Sequence, residues 1–114
     1  MSDINLKLDA EEYASMAKSA EKACELLRGL AHEARLIILC MLSEGEKSVS
    51  ELEAFLELRQ PTVSQQLARL RADRLVVTRR EGKTIYYSLA SEDARQIIGV
   101  LYDLYCKDSA ACLE

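Results

Sequence analysis

Residues 48 to 89, SVSELEAFLELRQPTVSQQLARLRADRLVVTRREGKTIYYSL, constrain the fold more than any other stretch of the chain. Ser48 and Glu51 have the spacing of a capping box, in which a hydroxyl and a carboxylate satisfy each other's backbone N–H at a helix start. Leu52, Phe55 and Leu56 then supply an inner face. A short turn, ELRQ, leads to Pro61, whose fixed φ suits the first position of a second helix. Val63, Leu67 and Leu70 lie on one side of that helix. The pattern then changes: Val76 and Val77 precede a charged tip, Glu81–Gly82–Lys83, and Ile85, Tyr86 and Tyr87 follow it. That is a hairpin with a basic tip. Two short helices joined by a tight turn and followed by a hairpin predict a winged helix-turn-helix, mainly α with a small β-hairpin.

The flanks complete one domain, residues 1–114, which is the size expected of a chain this long. Asp9 and Glu12 mark the start of a first helix, which carries Tyr13, Ala17, Ala20, Cys24 and Leu27 on one stripe and ends near Gly29. A second helix over about Glu33 to Ser43, stopping near Gly45, is apolar almost all round and is the predicted buried centre. The last helix starts after Ser91 and carries Ile97, Ile98, Leu101, Leu104 and Tyr105. The first and last stripes are surplus to the reading core. They are expected to pack on each other and across a two-fold axis, giving a homodimer.

Charge distribution bears on the partner. The net charge of −4 argues against a polyanion. Residues 59 to 83, however, hold seven basic and two acidic side chains, a local +5 that leaves −9 for the remainder. A basic segment on an acidic body can bind double-stranded DNA. Thr62, Gln65, Ala68 and Arg69 fall opposite the buried stripe of the second reading helix, with Ser64 at its edge. Gln pairs with adenine, Arg with guanine, and Ser or Thr with either. Arg71, Arg74, Arg79, Arg80 and Lys83 are expected phosphate contacts, which add affinity and salt dependence without sequence information. In a dimer the two reading helices stand about 34 Å apart, which suits an inverted-repeat operator.

Other classes fit less well. The longest apolar run, Leu36 to Leu42, is far short of the ~20 residues a bilayer requires, and the polar N-terminus has no signal-peptide pattern. A cytoplasmic protein with no cofactor and no membrane partner is expected. There is no Cys-x-x-Cys, His32 is the single histidine, and no nucleophile–base–orienter set is visible, so an enzyme is not expected.

The stretches LLRGLAHEARLIILCML, SVSELEAFLELRQPTVSQQLARLR and REGKTIYYSL resemble the ArsR-type winged-helix repressors over roughly residues 20 to 107. ILCML in the second helix and LYDLYC at the end of the last resemble the sulfide- and persulfide-responsive branch, SqrR, BigR and HlyU. That resemblance implies that Cys40 and Cys106 are a redox-sensing pair. It further implies that reactive sulfur species join them by a disulfide or polysulfide, and that the oxidised dimer leaves its operator. Many members of the family carry His at the position of Gln66, a departure that bears on operator preference.

Cys40 alone reads as a core residue. Cys106 is odder: at 100° per residue it lies about 150° from the centre of its helix's apolar stripe. Cys24 reads as a small buried hydrophobe, and Cys112 as a tail residue without function. The competing reading is a metal-responsive repressor with cysteine ligands, Cys40 and Cys106 with or without Cys24. No histidine accompanies them, so no metal site is assigned. A plain interaction module leaves the basic wing without a purpose.

Overall fold

A computed structural model describes residues 9–56 and 60–106. Five helices and a three-stranded sheet follow in the order α1 (Ala10–Leu30), α2 (Glu33–Ser43), β1 (Lys47–Ser48), α3 (Val49–Leu56), α4 (Gln60–Ala72), β2 (Val76–Glu81), β3 (Thr84–Leu89) and α5 (Glu92–Tyr105). This is the winged helix-turn-helix that the sequence predicts, with the hairpin β2–β3 as its wing.

Helix starts are set by side chains that accept from orphan N–H groups. The Asp9 carboxylate accepts from the Glu12 N–H at 2.8 Å, and the Ser91 hydroxyl from the Ala94 N–H at 3.0 Å. His32 caps α2 by accepting from the Ala34 N–H through Nδ1, at 3.1 Å. The capping box closes in both directions: Glu51 accepts from the Ser48 N–H at 2.9 Å and Ser48 Oγ from the Glu51 N–H at 3.2 Å. That backbone bond holds the Glu51 carboxyl below the usual range.

The core sits around α2. Ile38 and Leu39 from α2, Leu52 from α3, and Val63, Leu67 and Leu70 from α4 are all fully buried. Leu75 and Val76 close the core under the wing, and Ala94 and Ile98 close it from α5. The central burial predicted for α2 and the inward stripe predicted for α4 are both observed.

Four details differ from expectation. A two-residue strand, β1, precedes α3 and pairs with Tyr86 and Tyr87 of β3, so the hairpin is part of a sheet of order β1-β3-β2. Helix α4 begins at Gln60, which puts Pro61 second. Phe55 is exposed, because only Leu52 and the half-buried Val49 and Leu56 turn toward the core. Cys24 is exposed too. Along α1 only Gly29 and Leu30 are buried, so among the described residues the Tyr13–Leu27 stripe has no partner, where packing against the stripe of the last helix was expected. On α5, Leu104 and Tyr105 are 67% and 77% exposed.

Gly82 at φ +64° makes the two-residue hairpin turn, where a Cβ would be strained. Arg74, at φ +60°, occupies the same left-handed region just past the end of α4. The Leu75 N–H reaches the Leu70 carbonyl there at 2.9 Å, the long bond of a Schellman-type close. No helix among the described residues is long and apolar enough to cross a membrane.

Candidate DNA-reading surface and thiol pair

The inward face of α4 fixes what its outward face presents. With Val63, Leu67 and Leu70 buried, Thr62, Ser64, Gln65, Ala68, Arg69 and Arg71 are all exposed. A cleft of about 310 Å³ joins this helix to the wing; Ser64 lines it together with Ser48 and Ser50 at the start of α3 and Lys83 and Thr84 at the wing tip. Hydroxyls and one ammonium group form a surface suited to a phosphate oxygen. Ser50 and Thr84 were missed in the sequence, because nothing local to them signals that the wing folds back over α3.

The arginines divide into two groups. Arg79 is already occupied. Its Nε and Nη2 donate to the two Glu46 carboxylate oxygens, each at 2.7 Å, and its Nη1 donates to Glu81 at 2.8 Å. Its guanidinium carbon also lies 4.5 Å from the centre of the Tyr86 ring, directly across the ladder. The arrangement raises the Arg79 pKa and holds the Glu46 carboxyl low. In the absence of DNA, Arg79 forms a clamp that ties the wing to the loop after α2, and the phosphate contact expected of it requires that clamp to open. Arg80 is the next residue on β2, and strand alternation sends it to the opposite face. Arg80, Lys83, Arg71 and Arg74 form no ion pair among the described residues. Arg69 is held by Asp73 at 2.9 Å, one turn on.

Gln66 does not belong with the outward residues. It is half-buried, and its Oε1 accepts from Arg35 Nη1 at 2.9 Å. Arg35 is buried in the first turn of α2, and its Nε and Nη2 donate to the last carbonyls of α1, Gly29 at 2.8 Å and Arg28 at 3.2 Å. Burial first, and then the charge of Arg69, lowers the Arg35 pKa. An arginine starts so far above neutrality that it stays charged. Gln66 thus points inward, toward Arg35.

The thiols lie at the other end of the core, where α2 meets α5. Cys40 and Cys106 are both half-buried free thiols. The Cys40 carbonyl accepts from the Ser43 hydroxyl at 2.6 Å. Cys106 caps α5, its N–H donating to the Tyr102 carbonyl at 2.8 Å. Burial pushes the Cys40 thiol up, and the neighbouring Cys106 and Glu44 push it further. Two residues 66 positions apart in sequence thus come close enough to act on one another. Cys40 also lines an open groove of about 790 Å³ with Ser43, Glu44, Arg95, Gly99 and Tyr102. Among the described residues no three His, Cys, Asp or Glu side chains gather as a metal site, and Cys24 is on the exposed face of α1. Cys112 lies outside the described residues.

The comparisons with known proteins agree with this architecture. The pattern for "Bacterial regulatory protein, arsR family" matches residues 32–78. The chain is 51% identical over 92 residues to the biofilm growth-associated repressor of Agrobacterium fabrum, covering 81% of this chain and 79% of that protein. It is 49% identical to the transcriptional activator HlyU of Vibrio cholerae, covering 81% and 85%. The solved structure of reduced HlyU from Vibrio cholerae superposes with a TM-score of 0.80 at 48% identity, covering 82% of this chain and 98% of that one. Helix order, wing and sequence thus coincide, and the chain belongs to the arsR family of bacterial regulatory proteins, a transcriptional regulator and not an enzyme.

Proposed function

We propose that this chain is a thiol-based repressor that grips an inverted-repeat operator as a homodimer while Cys40 and Cys106 are reduced, and lets go when reactive sulfur species bridge them. The observation that supports this reading is a half-buried Cys40 where α2 packs on α5, lining a groove with Gly99 and Tyr102 of the helix that Cys106 caps. A bridge there joins the central core helix to the helix whose exposed Leu104 and Tyr105 suit a dimer face. Phosphate contact is assigned to Arg71, Arg74, Arg80 and Lys83. Base reading is assigned to Thr62, Ser64, Gln65 and Arg69, with Ala68 allowing close approach.

The chemistry balances with a persulfide, RSSH, as oxidant. One thiolate takes the outer sulfur of RSSH and releases RSH; the second thiol then displaces H2S, leaving a disulfide. Each further RSSH that donates a sulfur lengthens the bridge by one atom and releases another RSH. Burial disfavours the Cys40 thiolate. A direct disulfide needs Cα atoms about 4.4–6.8 Å apart. A wider reduced pair favours inserted sulfur and so favours persulfide over peroxide. Shifting α2 against α5 by a bridge has a typical coupling of about 1–3 kcal/mol, or roughly 5–150-fold in operator affinity.

The decisive test is operator gel-shift with reduced, peroxide-treated and polysulfide-treated protein, repeated for Cys40→Ser and Cys106→Ser. Both variants should bind DNA and ignore polysulfide; release in either one sinks the pair. Alkylation provides a pH check. Raised above the ordinary thiol value, Cys40 should react slowly at neutral pH and accelerate only above about pH 8.5–9, where free thiols already ionise. Fast neutral reaction of Cys40, located by peptide mass spectrometry, contradicts that effect of burial.

A further inference from the structure

We infer that Gln66 is a positioning residue, which sets the angle of the reading helix from behind through Arg35 and the end of α1 instead of touching DNA. This rests on the proposed DNA-reading role of α4.

Three observations meet at one joint. First, the last carbonyls of α1 have no helical partner, and the buried Arg35 guanidinium supplies one at the negative end of the helix dipole. Second, the remaining fork of that guanidinium holds Gln66 Oε1 at 2.9 Å, near the middle of α4. Third, Gly29 is pressed so closely against the exit of α4 that a Cβ there would stand 2.9 Å from Leu75 Cδ1 and 3.2 Å from Asp73 Oδ2. The end of α1 therefore grips α4 at two points, mid-helix and exit.

Apart from the half-buried Leu26, the rest of α1 is exposed, with Tyr13, Met16 and Leu27 turned outward. Whatever anchors α1 then reaches the reading helix through this joint. Gln65, the neighbouring residue, points outward from the same turn. Two-point hydrogen bonds to a base edge tolerate little displacement, so a small rotation of α4 removes discrimination while leaving phosphate contacts in place.

The probe is a duplex selected by the full-length wild-type protein from a random-sequence pool, measured against a scrambled duplex by fluorescence anisotropy over a salt series. Gln66→Leu should lower the preference for the selected duplex by about tenfold or more, spread over several base positions, with an unchanged salt slope. Gln66→Glu keeps an acceptor for Arg35 and should stay within about threefold of wild type. A base reader behaves otherwise: Glu forfeits as much as Leu, and Leu relaxes the preference at one base position only. Either of those results overturns the inference, as does a Gln66→Leu protein that discriminates like wild type. Should Gln66→Leu fail to fold, the Glu variant decides alone. A wild-type protein that selects no duplex overturns the DNA-reading proposal itself, an outcome distinct from failure of the Gln66 arm.

Discussion

The reading head and the outer helices spend their apolar side chains in opposite ways. In the head, Leu52, Val63, Leu67 and Leu70 are fully buried within a single chain. In α1 and α5, Tyr13, Met16, Leu27, Val100, Leu104 and Tyr105 face outward. The same kind of periodic stripe thus closes a core in one place and leaves a face uncovered in the other. The head has a third partner, α2, on which to fold. Helix α1 touches the body mainly at its last turn, and its stripe is left for a surface outside the chain. Exposed apolar area of this kind marks an interaction site, and the proposed dimer would cover it.

The largest test of that contrast is a pair of substitutions. Leu67→Ala should cost about 2–5 kcal/mol of stability through a core cavity. It should lower the melting temperature by roughly 10 °C or more at every protein concentration. Leu104→Asp should instead abolish the dependence of melting temperature on concentration, because it removes association and not packing. Calorimetry at several concentrations separates the two. A dimer that persists with Leu104→Asp in sedimentation would break the comparison.

A smaller effect sharpens it within the head. Arg80→Ala and Lys83→Ala should each reduce the slope of log affinity against log salt by about one. Arg79→Ala should barely move that slope, because Glu46 and Glu81 already occupy its guanidinium. An equal loss for Arg79 would mean that the clamp opens on DNA.

The smallest effect concerns Arg74. Relieving its left-handed backbone with Arg74→Gly should stabilise the fold by about 0.5–1 kcal/mol, after the greater chain entropy of glycine is subtracted. The same variant should lower the salt slope, since Arg74 is an assigned phosphate contact. A gain in stability with no change in slope would leave the residue without a DNA role.

Much of the head was legible because its signals are local. The reciprocal bonds of Ser48 and Glu51 follow from a spacing of three, and the inward Val63, Leu67 and Leu70 follow from helical geometry. The bounds of α2 were likewise readable, from a solid apolar run ended by Gly45. Phe55 was misjudged because a short helix meets its neighbours over a narrow arc, and one step of 100° separates core from surface. Cys24 was misjudged because an apolar stripe says that a face is covered, not that the same chain covers it.

The sequence by itself determined the five helices, their order, the wing hairpin, and the family to which the chain belongs, because caps, periodicity and turns act over a few residues; the short strand β1 emerged only from its pairing with β3. Tertiary structure alone decided which polar side chains are spoken for. Arg79 and Glu46 are 33 residues apart, Arg35 and Gln66 are 31 apart, and Cys40 faces α5 only when that helix packs on α2. A hydrogen bond or an ion pair depends on position in space to within an ångström, and no local pattern carries that information across such separations.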